Sequence, residues 1–400
     1  MERHETVIIG GGQAGLAMSY HLSQRGREHV LIERDRLGGR WHSERWDSLH
    51  YQFPNWSLRL PGHSYSGDDP EGFCHYSKVI EFLDDYARKI DPPARVGVEV
   101  ESVSLRAEQL ILETSGGRIA AGNIVVASGA FPHPRIPGFA AKLSPSIVQM
   151  HSAAYRSPAQ LPDGAVLVVG SGSSGGQIAE ELHRSGRPVF LSVSRHRRIP
   201  RRFSGKDMLW WLLELGWMDR PIDTLPDRRP APALLVTGID GGHDLDVRQF
   251  GADGMALLGS AVDGDGASLI LADNLAQLLD DADEVCADFL SAAGELARER
   301  GMDVEETRQQ QRPRPPSAAT RIDLEDAGIT SIVWCTGYRP AFDWIEIPVF
   351  DAEGAPIQKR GRTACRGLYF LGLHWMHTLK SGALFGVGED AEHIAELIAA

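Results

Sequence analysis

Cysteine is scarce in this chain and never paired along it. The 400 residues hold only Cys74, Cys286, Cys335 and Cys365, with no CxxC, so neither a zinc ribbon nor a dithiol redox pair has its ligands and four free thiols are expected. Long apolar runs are missing too. None approaches the roughly 18 residues that span a bilayer, and the start, Met1-Glu2-Arg3-His4-Glu5, lacks a signal-peptide pattern, so a cytoplasmic chain with no membrane partner is expected. There is no basic excess. With 54 acidic against 41 basic residues the formal charge is −13, which argues against nucleic acid as the main partner and favours a soluble chain. What the chain does have is size. Four hundred residues at 42% hydrophobic content exceed what one core usually organises, so at least two domains are expected.

The most informative stretch is VIIGGGQAGLAMSYHLSQRGREHVLIE, Val7 to Glu33. Val7, Ile8 and Ile9 read as a strand buried on both faces. Gly10 permits a tight turn, Gly12 lets backbone approach a pyrophosphate, and Gly15 lets the helix pack close to the strand, with Gln13 and Ala14 between them. Gly26 ends the helix, Val30 to Ile32 form a second strand, and Glu33 closes it where a carboxylate accepts from a ribose diol. The competing reading is an ordinary glycine-rich turn. Strand, helix and acid in register favour a dinucleotide-binding βαβ unit.

Leu37 to Phe73 then runs without periodicity but with Trp, His, Gly and Pro, too aromatic for a disordered linker. Directly after a dinucleotide unit, it is expected to wrap the rest of the cofactor. Val79 to Ile90 reads as an amphipathic helix, Val96 to Leu105, Gln109 to Glu113 and Asn123 to Ala127 as strands, and Pro132, Pro134 and Pro137 as an extended linker.

Past the linker the opening pattern returns at an offset of 160. Gly170, Gly172 and Gly175 stand where Gly10, Gly12 and Gly15 stood, with Ser173 and Ser174 opening the helix and Gly186 matching Gly26. Two nucleotide sites follow. The offset puts Val193 in place of Glu33, and Ser194, Arg195, Arg197 and Arg198 come next. A carboxylate there would repel a 2′-phosphate, whereas guanidinium and hydroxyl groups bind one, so NADPH is expected over NADH, against the plainer reading of a solvated basic strand end. Lys206 to Leu215 gives a helical apolar face, and its tryptophans, with Trp217, are core or a substrate roof. Leu275 to Arg300 reads as a helix, Arg308 to Ala318 as a connector, and Ile332 to Trp334 as a strand entering Cys335-Thr336-Gly337-Tyr338. Gly367 to Gly372 repeats that strand-to-glycine ending, which lets backbone approach a flavin, and Ala383 to Ala399 closes the chain as a helix.

Two dinucleotide units, an aromatic wrap after the first containing Gly38-Gly39-Arg40-Trp41, and Cys335-Thr336-Gly337-Tyr338 after the second resemble the class B flavin-containing monooxygenases over nearly the whole chain. The family fingerprint is present in part, as His151 and Tyr155, with Pro145 and Ile147 at its Phe and Gly positions. Tyr155 leans towards the N- and S-oxygenating branch or the branch that decarboxylates 2-oxo acids, and Leu49 to Pro61 is similar to a motif of the latter. The resemblance implies an α/β fold of two Rossmann-like domains, an FAD domain at 1–157 and 331–400 interrupted by an NADPH domain at 158–330 with a helical insertion at about 203–316. It implies FAD contacts at Gly10, Gly12, Gln13, Ala14, Gly15, Glu33, Arg34, Gly39, Arg40, Trp41, Val100, Ala127, Ser128, Gly129 and Gly372. NADPH contacts follow at Gly170, Gly172, Ser173, Ser174, Gly175, Ser194, Arg195 and Arg198, and further cofactor contacts at Thr336 and Gly337. Asn55 and Gln52 are the candidates for supporting the oxygenated flavin, and no metal is implied. The implied reaction has NADPH reduce FAD, O2 form a C4a-hydroperoxide, and a small organic substrate take the oxygen. The alternatives are an NADPH-dependent flavoprotein reductase without oxygen transfer and a non-catalytic flavoprotein.

Overall fold

Each glycine-turn unit lies in its own sheet, the first mixed and the second parallel, and the chain crosses from the first sheet to the second and back. The computed structural model describes residues 1–129, 133–225, 234–304, 319–339 and 341–400. Ala130, Pro132 and the segment Arg308 to Ala318 singled out above lie outside the described residues. The first unit is β1 (Glu2–Ile9), α1 (Gln13–Gln24) and β2 (His29–Glu33), followed by the short helix α2 (Gly39–Ser43), the helix α3 (Tyr76–Ile90) and β3 (Ala94–Val96). A meander of β4 (Val100–Arg106), β5 (Gln109–Thr114) and β6 (Gly117–Val126) then brings the chain back beside β1. The order is β3-β2-β1-β6-β5-β4, with β1 parallel to both neighbours. Val7, Ile8 and Ile9 are accordingly sealed from solvent on both faces.

Helix α3 shows how the sequence selects its packing. Its buried residues, Val79, Phe82, Leu83, Tyr86 and Ala87, recur at the three- and four-residue spacing that lines one helix face. Burying a side chain such as Phe82 or Leu83 contributes about 1.5–3 kcal/mol. His75 caps the start by accepting from the Ser77 N–H, and Asp91, at φ 42°, turns the chain left-handed to stop it.

The second sheet contains β7 (Val148–His151), β8 (Ala165–Val169), the helix α4 (Ser173–Arg184) after it, β9 (Val189–Ser192), β10 (Ala256–Leu258) and β11 (Ile329–Trp334). Its order is β7-β11-β8-β9-β10, parallel throughout. Two expected boundaries are corrected by this. Val148–His151 lies before 157 and most of Ile329–Trp334 lies beyond 331, yet both strands belong to the second sheet, because β11 pairs with β8 and β7 and not with β1. The last strand, β12 (Leu368–Phe370), does return to the first sheet, pairing Leu368 with Ile124. The chain crosses between sheets twice, and the crossings pair as a small antiparallel ribbon, Tyr338 with Pro134 and Arg339 with His133.

The stretch at about 203–316 is not a separate helical insertion. It supplies β10 to the second sheet, and its described residues include three α-helices, α5 (Met208–Glu214), α6 (Val247–Ala252) and the long α7 (Leu275–Glu299). Helix α7 buries Leu275 and Leu279 in the core of the second sheet and Phe289, Ala293 and Ala297 against α5. The final helix α8 (Val387–Ala399) packs on α1. No helix among the described residues is long and apolar enough to cross a membrane.

Candidate functional site

The two glycine turns share their backbone geometry at the first and third glycines. Gly10 has φ 108° and Gly170 φ 100°, a region L side chains rarely enter. A Cβ on Gly10 would stand 2.6 Å from the Ala127 carbonyl oxygen, and one on Gly170 2.5 Å from that of Cys335. A Cβ on Gly15 would overlap the Gly10 oxygen, and one on Gly175 the Gly170 oxygen. Gly12 differs. Its added Cβ would meet nothing within 4 Å, so the space beside it is free for a ligand. Gly12 and Gly172 precede helices α1 and α4 without a side-chain cap and without an acid in the first turn, leaving N–H groups and the positive helix end towards that space. An uncapped helix start of this kind suits an anion, and it occurs twice.

The neighbouring strand ends match as well. Ala127 donates to the Ile9 carbonyl at 2.8 Å and Cys335 to that of Val169 at 2.8 Å, after which Gly129 and Gly337 both turn left-handed, at φ 91° and 78°. Ser128 follows Ala127 as Thr336 follows Cys335. Thr336 and Gly337 therefore belong to the second turn and the crossing beside it, not to the first sheet as expected. His151 fixes them: its Nε2–H donates to the Gly337 carbonyl at 3.0 Å while its Nδ1 accepts from the Ala153 N–H at 3.2 Å. Burial keeps this imidazole below its ordinary pKa, although its bond to Gly337 acts the other way. Burial also pushes the Cys335 thiol up to about 12, so it is no nucleophile.

At the ribose end the copies diverge as the sequence indicates, with one change of register. In the first, the Glu33 carboxylate accepts from the Gly11 N–H at 2.7 Å and from Asp35 N–H at 2.9 Å. In the second, the group that accepts from the equivalent Ser171 N–H, at 3.0 Å, is the Ser194 hydroxyl, while Val193 is fully buried. A neutral hydroxyl thus replaces a carboxylate. Arg195 follows it, exposed and without a hydrogen bond or ion pair to any described residue. Arg198, expected beside it, is corrected: its Nε donates to Asp246 at 3.1 Å and its Nη1 to Cys286 Sγ at 3.0 Å, with Asp283 at 3.8 Å. Two carboxylates have already taken its charge. Ser173 is spent on the Leu234 carbonyl at 3.1 Å, and Ser174 is half-buried in the first turn of α4.

The 37–73 segment wraps from one turn to the other. Gly38 donates to the Gly11 carbonyl at 3.0 Å, so Gly39, Arg40 and Trp41 start α2 directly on the first turn, with Arg40 3.7 Å from Glu44. Further on, Ser48 donates to Glu181 of α4 at 2.7 Å, and the fully buried Tyr155 donates to its other oxygen at 2.8 Å. Asn55 is corrected as a flavin partner. It is 3% exposed, its Nδ2 donates to the Asp69 carbonyl at 2.9 Å and its Oδ1 accepts from Cys74 at 2.8 Å, so its amide closes the wrap on itself. Gln52 is half-buried, and its carbonyl accepts from Arg201 at 2.6 Å. Arg201, which sequence reading passed over, also pairs with Asp207 at 2.9 Å and lies 3.9 Å over Phe73. Burial drives its pKa down to about 10 and the Asp207 carboxyl up. Trp211 is core, donating to the Phe203 carbonyl at 2.9 Å, but its cluster packs against Phe53 and Trp56 of the wrap.

Other positions sort by distance from the first turn. Gly372, at φ 75°, sits where a Cβ would meet Ala14 at 2.5 Å, and Gln13 donates to the Gly382 carbonyl at 2.8 Å, so the C-terminal segment closes on the start of α1. Val100 begins β4 opposite Thr114; it is Val98 that donates to the Glu33 carbonyl, at 3.1 Å, and borders the ribose end. Arg34 is exposed among Asp35 and Glu99. All four cysteines are free thiols.

Comparison with known proteins agrees with this geometry. A family model described as pyridine nucleotide-disulphide oxidoreductase matches residues 7–207. An oxidoreductase of Geobacillus kaustophilus (strain HTA426), described as uncharacterised and CzcO-like, is 31% identical over 393 residues, 98% of this chain and 97% of its own. Indole-3-pyruvate monooxygenase YUCCA1 of Oryza sativa subsp. japonica is 29% identical over 214 residues, 51% of this chain and 52% of its own. A solved flavin-containing monooxygenase from Stenotrophomonas maltophilia superposes with a TM-score of 0.70 at 20% identity, over 100% of this chain and 98% of its own.

Proposed function

We propose that this chain, which belongs to the pyridine nucleotide-disulphide oxidoreductase family and within it to the class B flavin-containing monooxygenases, holds FAD on its first glycine turn and NADPH on its second and oxygenates a small organic substrate between them. It is a flavin-dependent monooxygenase. The observation that carries the two-cofactor reading is the pair of equivalent cradles, at Gly10 to Gly15 and Gly170 to Gly175, joined by one wrap. When bound, FAD supplies the redox chemistry, passing two electrons from NADPH to O2 so that one oxygen atom enters the substrate and the other leaves as water.

The chain's own residues bind, orient and exclude water. On the first turn, the uncapped N–H groups that follow Gly12 at the start of α1 face the pyrophosphate, and Glu33, already oriented by Gly11 and Asp35, keeps acceptor capacity for a ribose diol. On the second, Ser194 removes the carboxylate that would repel a 2′-phosphate, and Arg195 offers it a guanidinium. The wrap, tied by Glu181 to one domain and by Arg201 to the α5 segment, closes the space between the turns. No acid or base has to move a proton for this reading; positioning carries it. The substrate belongs to the amines and sulfides or to the 2-oxo acids.

The test is to reduce the FAD-loaded protein with NADPH, admit O2, and follow NADPH use, hydrogen peroxide release and product across amines, sulfides, ketones and 2-oxo acids. One class should lower peroxide release per NADPH and yield an oxygenated or decarboxylated product. Peroxide equal to NADPH with every class would leave a flavoprotein reductase in place of a monooxygenase.

A further inference from the structure

One guanidinium beside α2 has no carboxylate partner among the described residues. Arg45 follows α2 by two residues; its guanidinium carbon lies 4.4 Å over the Trp41 ring, and Nη1 donates to the Glu44 carbonyl at 3.0 Å. Trp41 lies inside α2 and Arg45 follows its last residue, Ser43, so the stacking ties the helix to the chain just beyond it. The side chain is half-buried and has no carboxylate partner among the described residues, because the Glu44 carboxylate lies 3.7 Å from Arg40 instead. Burial lowers its pKa, with Tyr338 and Glu44 only partly opposing.

Its place is between the two nucleotide turns. Helix α2 starts on the first, where Gly38 donates to Gly11, and ends on the second domain, where the Ser43 carbonyl accepts from Arg156 at 2.5 Å. Tyr338, whose phenol burial keeps above its ordinary pKa, ends the Cys335-to-Tyr338 run whose first carbonyl roofs Gly170. A cation drawn out of water costs stability unless something pairs with it, and guanidinium stacked on an aromatic ring is preset for two parallel hydrogen bonds to an oxyanion.

We propose that Arg45 binds an oxyanion in the inter-domain cleft: the pyrophosphate of the nicotinamide nucleotide on the second turn, or the carboxylate of the substrate. This rests on the function proposed above, and Trp41 is then the residue that aims the guanidinium.

The test uses FAD-loaded protein carrying Arg45→Met, which keeps an apolar stem on Trp41, or Arg45→Lys, which keeps the charge and loses the fork. NADP+ is titrated into each oxidised protein by calorimetry, and phenylpyruvate and its methyl ester are titrated separately. A ten- to hundredfold weaker NADP+ affinity in Arg45→Met, partly restored by Arg45→Lys, assigns the pyrophosphate. The same loss for phenylpyruvate but not its ester, with NADP+ unchanged, assigns the carboxylate. Unchanged affinities for both, or loss of FAD from both variants, would overturn the proposal and leave Arg45 a packing residue. A wild-type protein that bound no NADP+ would instead sink the reading of the second nucleotide turn.

Discussion

At the scale of single residues the two nucleotide units act as controls for each other. The Ser171 N–H and the Gly11 N–H are equivalent donors, and they meet a hydroxyl in one copy and a carboxylate in the other. Arg195 is the free cation beside that hydroxyl, so Arg195→Ala should weaken NADPH by about ten- to a hundredfold, the loss of roughly 1.5–3 kcal/mol for one charge-assisted contact. NADH should be little affected. Arg198→Ala should behave differently, lowering thermal stability and shifting both nucleotides alike, because it strands Asp246 and Asp283 with less compensation. Comparing KM for NADPH and NADH in flavin reduction checks both. Equal shifts for the two nucleotides in Arg195→Ala would remove it from the 2′-phosphate site. The swap of Glu33 for a neutral position was legible from the offset of 160. The use of Ser194 rather than Val193 against the turn was not, because it depends on where the buried strand ends.

Elements divide by the range of the interactions that shape them. Helices α3 and α7 were legible because their apolar residues recur at helical spacing, and strands β1 and β8 because they contain short continuous apolar runs. The wrap was legible only as irregular. Its form is set by side chains meeting backbone far along the chain, Asn55 at Asp69 and Cys74, and Arg201 at Gln52 from the other domain. A single stretch of sequence carries no sign of such pairs. Strand β11 fell into the wrong sheet for a related reason, since Ile332-Val333-Trp334 fits any buried parallel sheet and only its partners, β8 and β7, decide. The wrap yields a direct contrast. Asn55→Ala leaves the Cys74 N–H and the Asp69 carbonyl without their partner, which should cost about 1–3 kcal/mol. The expected outcome is a lower melting temperature and weaker FAD retention, with unchanged peroxide release per NADPH in the loaded fraction. Raised peroxide release at normal stability would return Asn55 to direct support of the flavin.

Across the whole molecule, imidazoles held below their ordinary pKa set the response to mild acid. His21, His63, His151, His196 and His393 are all held below their ordinary value of 6.5, with burial the largest cause each time. They are spread over both domains and the crossing: His63 in the wrap, His196 after β9, His151 clasping Gly337 where the chain returns. A base whose folded pKa is depressed binds its proton more readily when unfolded. Its stabilising contribution is complete above about pH 6.5 and is lost as pH falls through that value towards the folded pKa. Glu2 and Glu28 are shifted down as well, but they lie at the surface, where solvent screens their pairs with Arg95 and His4. Stability should therefore hold level from pH 8 to 7 and start to fall below about 6.5, well above the range where carboxylates protonate. Urea midpoints of the FAD-loaded protein between pH 8 and 5 measure this. If the fall began only below pH 5, carboxylates rather than the buried imidazoles would govern acid stability, and the neutral His151 would not be what holds the second crossing against the turn.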